Sequence, residues 1–224
     1  DDSAPAPSCL ERLLAAADAH PRTAILGPKA LGWHDRRLLL EVGFSITGAG
    51  RRVTGLERRE HDQGQHDERS EVHAVGTAGM LVRRDVWDAL GGFDPQLPLY
   101  RDDLDLCWRA WRAGHEVRVV PDAVIHHREA SYHGRREGST LPGRGHRLDR
   151  RSALLVLLAP APGWRLPFTG VRLALGSMLR SLLYLLGKDL RRAGDEIAAI
   201  GSLLAHPGRI MASRRRVAAT STLS

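Results

Sequence analysis

The chain has 224 residues, of which 42% are hydrophobic and 26% charged, a composition that supports a folded core and excludes a disordered or fibrous protein. The formal net charge is +7, but residues 147–224 hold 13 basic and 4 acidic side chains, whereas the other 146 residues hold 20 and 22. A slightly acidic body therefore precedes a strongly basic tail, which predicts a polyanionic partner, either a membrane surface or nucleic acid.

Helical and extended patterns alternate over the first part of the chain. The periodicity predicts an amphipathic helix over 8–20, strands over 23–28 and 38–43, and a polar surface loop over 57–71. Two short extended pieces follow within 72–84, and a short helix comes after them. This alternation indicates an α/β layered domain.

A second helix is predicted in the stretch YRDDLDLCWRAWRAG (100–114), where three aspartates fall within four positions. One aspartate at a helix start is explained by the free backbone N–H groups and the helix dipole. Three such charges repel one another, which indicates a nearby cation, metal or substrate. Asp105 can pair with Arg109 one turn later and is predicted to be structural. Asp102 and Asp103 remain as functional candidates.

The two cysteines and the last predicted strands complete this part of the chain. Cys9 and Cys107 fall among apolar residues of helical patterns, which favours buried free thiols and a reducing compartment. A strand is predicted over 116–121 and continues as an extended segment in which Ala123 and His127 lie on one face.

The remaining residues are predicted to form a Gly/Arg-rich linker over 135–151 and a basic amphipathic helical tail over 152–224. The uncharged run Ser152–Trp164 is too short to span a bilayer and contains two prolines. In the next apolar stretch Arg172 and Arg180 lie eight positions apart, which indicates a narrow cationic face and a helix in the membrane interface.

Two alternative interpretations of the tail remain. It could form a helical cap that packs on the domain or on a partner, or a helix that spans the membrane. Nucleic-acid binding is not expected, because the basic residues are not interleaved with exposed aromatic residues and the sequence contains no recognisable nucleic-acid-binding module.

The segment GTAGMLVRRDVWDALGGFDPQLPLYRDDLDLCWRAWRAGHEVRVVPDAVIHHREAS (76–131) resembles the second half of a family 2 glycosyltransferase of the GT-A fold. It contains, in order, a glycine-containing strand, RR, GGFD, an acidic pair followed by DLxxR, a glycine, a strand with VP and a histidine. The opening DDSAPAP (1–7) resembles the family's aspartate motif. The resemblance covers roughly residues 1–135.

This resemblance implies transfer of a sugar, with inversion, from a nucleotide-sugar donor to an acceptor hydroxyl. Asp103 would be the base that removes the acceptor proton, and Asp102 would support it. We expect the helix N-terminus to keep Asp103 ionised.

The resemblance also implies a divalent cation, Mn²⁺ or Mg²⁺, held by Asp2 and a histidine after the last strand. The two-residue alternation selects His127 over His126, although both could be ordinary strand-end residues. The polar cluster at 61–67 is predicted to be a solvated loop rather than a metal site.

Further positions match family segments that border the donor and acceptor. They are predicted to bind substrate: Asp1, Gly76, Thr77, Gly79, Arg83 and Arg84. The alternative for the two glycines is that they allow tight strand packing, and the alternative for the two arginines is that they are surface charges.

Together these features predict a partial GT-A domain over 1–134 that lacks its N-terminal strands and is followed by the helical tail. The family's nucleotide-binding half precedes the aspartate motif, so the 224 residues alone are expected to have little activity. The predicted acceptor is a cell-envelope glycan or lipid-linked molecule, at the cytoplasmic face of the plasma membrane. The alternative is a non-catalytic, membrane-associated scaffold.

Overall fold

The structure is a computed structural model that describes residues 2–128 and 145–220. A mixed central sheet with flanking helices confirms the predicted α/β class, and the described C-terminal part is helical. In chain order the elements are β1 (Ser3–Pro5), α1 (Cys9–Ala19), β2 (Thr23–Gly32), β3 (Leu39–Glu41), β4 (Ser45–Ile46), β5 (Arg52–Val53), β6 (Leu81–Val82), α2 (Arg84–Leu90), α3 (Asp102–Arg112), β7 (Glu116–His127), α4 (Gly145–Leu158), a 3-10 turn (Gly163–Arg165), α5 (Leu166–Leu186), α6 (Leu190–Ala205) and α7 (Pro207–Ala219).

The sheet is built around β7 and β2, which run parallel. β1 pairs antiparallel with the outer edge of β7, and β3 and β6 pair with different parts of the other edge of β2. β4 and β5 form a separate two-stranded hairpin. Because β1 places Ser3 opposite His127, the start of the described chain lies beside the end of β7.

Strand β2 is longer than predicted, whereas β7 covers the predicted strand and its extended continuation. β2 was expected to stop at Gly27–Pro28, but it continues to Gly32. The register shifts there, since Pro28 lies opposite Val120 whereas Lys29 lies opposite Val124. A proline lacks the N–H that a regular ladder requires, and this irregularity accommodates it within the strand.

Helix α1 packs on the sheet through a narrower face than its sequence suggests. Cys9, Leu13 and Ala17 are buried, whereas Leu10 and Leu14 are 60% and 48% exposed. Both cysteines are buried and free, as predicted.

The helical region joins the core of the sheet instead of standing apart as predicted. Its first helix, α4, begins at Gly145, inside the predicted linker. Leu154 and Leu155 of α4 belong to the same buried cluster as Val75 and Leu104. The boundary predicted at residue 134 lies outside the described residues. Across residues 2–128 and 145–220, none of the helices combines the length and apolarity needed to cross a membrane.

Candidate active site

The two candidate acids lie in the first turn of α3 and are half-buried. The N-cap of this helix, Arg101, and the residue before it, Tyr100, both adopt left-handed backbone conformations, with φ of 66° and 63°. Such conformations cost energy in residues other than glycine, and they cluster at functional sites. The side chain of Asp103 accepts a 2.7 Å hydrogen bond from the Leu104 N–H.

Burial changes the acid–base chemistry of this pair. It raises the pKa of Asp103, while the positive charge of Arg52 and the Leu104 N–H act in the opposite direction. Burial, followed by the negative charge of Asp103, raises the pKa of Asp102 to about 6. The expectation that the helix N-terminus alone keeps Asp103 ionised is therefore incomplete, because burial is the larger effect. Carboxylates with raised pKa values are suited to accepting protons near neutral pH.

Arg52 is a site residue that the sequence analysis did not identify. It lies on β5, forms an ion pair with Glu41, and places its guanidinium carbon 3.8 Å from the centre of the Phe44 ring. The Glu41 carboxylate also accepts a 2.6 Å hydrogen bond from the Gly76 N–H. The preceding residue, Arg51, is also an arginine. The pairing register of the β4–β5 hairpin, in which Arg52 lies opposite Ile46, determines which of the two reaches Glu41.

The segment after Val75 runs between α3 and the central strands. On the α3 side, the Cys107 thiol lies 4.0 Å from the carbonyl of Val75. On the strand side, a Cβ on Gly79 would lie 2.7 Å from Pro28 and 3.1 Å from Ile125. Gly79 also has φ of 76°, so close packing explains this glycine.

Gly76 and Thr77 open this same segment. A Cβ on Gly76 would lie 3.0 Å from the Glu41 carboxylate, so a side chain there would disturb the hydrogen bond between them. Thr77 is exposed at the surface of the site. Their predicted contact with substrate stays a prediction.

The predicted metal ligands come together at the edge of the sheet. His127 Nε2 lies 3.6 Å from Asp2 Oδ2, and the Arg128 N–H donates to the Asp2 carbonyl at 2.7 Å. His126 pairs with Ala4 in the ladder and does not share this contact.

A carboxylate oxygen and an imidazole nitrogen in this arrangement fit Mn²⁺ or Mg²⁺. No group of three or more potential ligands among His, Cys, Asp and Glu exists in the described residues. A cation held by Asp2 and His127 would thus take its remaining ligands from phosphate oxygens and water, as Mg²⁺ commonly does. The metal role of both residues stays a prediction.

A profile of the "Glycosyltransferase like family 2" matches residues 1–139. The chain belongs to this family. The N-acetylglucosaminyl-diphospho-decaprenol L-rhamnosyltransferases of two Mycobacterium tuberculosis strains, CDC 1551 / Oshkosh and H37Rv, are each 27% identical to it over 176 residues. The alignment covers 70% of this chain and 53% of each relative, so the chain spans about half the length of these relatives.

The fold is shared with a solved glycosyltransferase. The crystal structure of GalNAc-T7 with UDP, GalNAc and Mn²⁺ superposes with a TM-score of 0.51 over 77% of this chain and 32% of that protein, at 14% sequence identity. The GT-A type fold expected from the sequence is therefore confirmed.

The paired arginines of the family motif have structural partners. Arg83 donates hydrogen bonds to the carbonyls of Thr23 and Ala17, at 2.8 Å and 2.5 Å, and so fastens α2 to β2 and α1. Arg84 is exposed and pairs with Asp88 at 3.2 Å. Arg84 therefore matches the surface-charge alternative, whereas Arg83 has a structural role that neither alternative anticipated. Their predicted contact with substrate stays a prediction. The predicted substrate residue Asp1 lies outside the described residues.

The third acid of the helix is structural, as predicted. Asp105 Oδ2 accepts a 2.8 Å hydrogen bond from the buried guanidinium of Arg109. Arg109 also donates to the carbonyls of Leu90 and Gly92, each at 2.8 Å. Arg109, the arginine of the DLxxR segment, thus holds the glycine turn of the GGFD segment against α3.

The polar loop at 57–71 is held on the sheet by ion pairs. Lys29, on β2 and only 4% exposed, contacts the carboxylates of Asp62 and Asp67. His66 pairs with Glu60 at 2.7 Å. The predicted surface loop is therefore anchored at one side, and its histidines pair with carboxylates.

Proposed function

We propose that this chain carries the acceptor-side half of an inverting glycosyltransferase. The enzyme would move a sugar from a nucleotide-sugar donor to a hydroxyl of a cell-envelope glycan or lipid-linked acceptor. The observation that carries the proposal is the half-buried acid pair at the start of α3, within the family's motif, where burial raises the pKa of both carboxyl groups. The mycobacterial relatives, named for a diphospho-decaprenol acceptor, support the acceptor class.

In the proposed reaction Asp103 accepts the proton of the acceptor hydroxyl as its oxygen attacks the anomeric carbon. The bond from that carbon to the diphosphate breaks, and its electron pair leaves with the nucleotide diphosphate. Asp102 supports the base and orients the acceptor. A divalent cation at Asp2 and His127 would neutralise the charge on the departing diphosphate.

The reaction site is proposed to be the cytoplasmic face of the plasma membrane. The basic C-terminal third, with 13 basic and 4 acidic side chains after residue 146, supports a peripheral association with anionic lipid. A lipid-linked acceptor would also confine the reaction to that surface.

The decisive test is Asp103→Asn in the full reading frame that contains these residues. Transfer should fall by about 100- to 10,000-fold, the usual contribution of a general base, while nucleotide binding stays nearly unchanged. Asp85→Asn, on the exposed surface of α2, is the matched control and should transfer normally. Unchanged transfer by Asp103→Asn would disprove the base assignment, and no donor turnover by the unmodified protein would favour the scaffold alternative.

Low activity of the 224 residues alone stays a prediction. Release of nucleotide diphosphate from a nucleotide-sugar by this polypeptide would contradict it.

A further inference from the structure

Helix α5 has its polar side inside and its apolar side outside. Ser177 and Ser181 are buried, at 0% and 7% exposure. Arg180 donates to the Ser177 hydroxyl at 2.7 Å and pairs with the buried carboxylate of Glu196 at 3.2 Å. Of the two arginines that the sequence placed on a cationic face at the membrane, Arg180 instead points into the helical bundle, whereas Arg172 stays exposed.

The opposite side of α5 consists of large apolar residues that we call the outer face. Its members recur at intervals of seven, four, three and four positions, and therefore lie on one side of the helix. Each is at least half exposed: Phe168, Leu175, Leu179, Leu182 and Leu186.

This arrangement is the reverse of a helix that packs on a protein and faces water, in which the apolar stripe is buried. The outer face extends along almost all of α5, from Phe168 to Leu186. Contiguous exposed apolar surface of this kind marks an interaction site. Residues 2–128 and 145–220 provide no cover for it, since its leucines remain exposed in their presence.

The charges around the outer face indicate what covers it. Trp164 and Arg165 precede α5 and are exposed, with the guanidinium carbon 4.3 Å from the indole centre. Lys188 and Arg191 follow α5 and are also exposed. Apolar residues flanked by tryptophan and cations match the depth profile of a bilayer interface with anionic headgroups. A second copy would bring like charges together at both ends of an antiparallel contact.

We infer that the outer face of α5 docks this protein on an anionic lipid bilayer, with the helix lying in the plane of the interface. The inference deepens the proposed function, on whose membrane setting it rests in part, by assigning the surface that meets the lipid. Arg172, at the edge of this face, donates to the Gly48 carbonyl at 2.8 Å. The β4–β5 hairpin, which carries Arg52, would therefore lie near the bilayer and near a lipid-linked acceptor.

The test is flotation of the full reading frame with vesicles of phosphatidylglycerol and phosphatidylcholine, compared with phosphatidylcholine alone. The unmodified protein should float with the anionic vesicles. The Leu175→Asp/Leu182→Asp double variant should lose about 100-fold in partition coefficient, because two leucines no longer enter the apolar region.

The matched control is Leu10→Asp/Leu14→Asp, which makes the same change on α1. Its leucines are 60% and 48% exposed, against 60% and 52% for the α5 pair. The control should float like the unmodified protein, and circular dichroism should show both variants folded. Equal flotation of the two double variants, or no flotation of the unmodified protein, would overturn the inference.

Two further measurements separate the possible occupants and the two proposals. Brominated lipid should quench part of the tryptophan fluorescence, and the Trp164→Phe variant should lack that quenched part. If brominated lipid quenches no fluorescence from Trp164, the result counts against docking. If sedimentation instead shows a dimer that the α5 double variant dissociates, the face binds a second copy and the inference is wrong. Asp103→Asn should float normally, so a catalytic failure and a docking failure are distinguishable.

Discussion

The three aspartates of α3 differ in what surrounds them. Asp105 meets a buried guanidinium and has a structural partner. Among the residues that the structure describes, Asp103 has no such direct ion pair, and the largest opposing charge is that of Arg52, followed by that of Arg101. A half-buried acid without a direct cation binds a proton more readily than an exposed one, which is the property a catalytic base requires.

Arg52→Gln should therefore change the pH dependence of transfer. Burial raises the pKa of Asp103 and Arg52 opposes this, so removing the guanidinium should raise that pKa further. Since the base must be ionised, the acid-side midpoint of kcat/KM should move to higher pH, with activity recovering above it. The pH profile of the full reading frame measures this.

Arg51→Gln provides the matched comparison, because Arg51 is the neighbouring exposed arginine on the same hairpin, while it is Arg52 that pairs with Glu41. Its midpoint should match that of the unmodified enzyme. A uniform loss of activity in Arg52→Gln, with no movement of the midpoint, would instead indicate that Arg52 acts only through its ion pair with Glu41.

At the scale of elements, α3 is joined to the turn after α2 by one side chain. Arg109 is fully buried and reaches Asp105, Leu90 and Gly92. The turn brings two glycines with positive φ, Gly91 and Gly92, against the helix. Arg109 thereby fixes how α3 enters the core, and with it the direction of the acid pair.

Arg109→Met should reduce the free energy of unfolding by about 3–5 kcal/mol, because it leaves the Asp105 carboxylate buried without its cation. Arg84→Met removes another pair of the same spacing, Arg84 with Asp88, whose side chains are 91% and 62% exposed. That control should change stability by about 0.5 kcal/mol or less. Urea denaturation of both variants measures the difference, and similar losses would contradict the role given to Arg109.

Local patterns made several elements predictable from the sequence. Helices α1 and α3 form where their apolar periodicity predicts them, although Leu10 and Leu14 of α1 stay exposed, and the Asp105–Arg109 pair follows helix geometry. The meeting of Asp2 with His127 required the family resemblance together with strand alternation. The position of Arg52 could not be predicted, because it depends on a hairpin register and on contacts between residues distant in sequence.

At the scale of the whole molecule, α4 connects the helical region to both sides of the site. Asp149 accepts a 2.7 Å hydrogen bond from Arg101, the N-cap of α3. Arg150 donates to the Ala49 carbonyl of the β4–β5 hairpin at 3.1 Å. Both residues were predicted to lie in a linker, since their charge suggested solvent exposure. Arg150 is only 7% exposed, and its partner Glu196 lies 46 positions later, beyond the range of any local pattern.

Glu196→Gln should loosen the bundle and the hairpin together. Glu196 is fully buried between Arg150, at 3.0 Å, and Arg180, at 3.2 Å, so the neutral amide leaves two guanidinium groups without their shared anion. The free energy of unfolding should fall by about 3 kcal/mol. Amide hydrogen exchange should also become faster in the hairpin at 45–53, because Arg150, one of the side chains that bind its turn, loses its anionic partner.

Asp189→Asn is the matched control for Glu196→Gln. Asp189 caps α6 through the Arg192 N–H at 3.0 Å, and asparagine is an equally good cap, so stability should change by about 0.5 kcal/mol or less. Hairpin exchange in this control should match the unmodified protein. If Glu196→Gln lowers stability but leaves hairpin exchange unchanged, the bundle holds its own fold without positioning the site. Faster exchange confined to the hairpin and α4 would show that the helical region sets the position of Arg52 through Arg150.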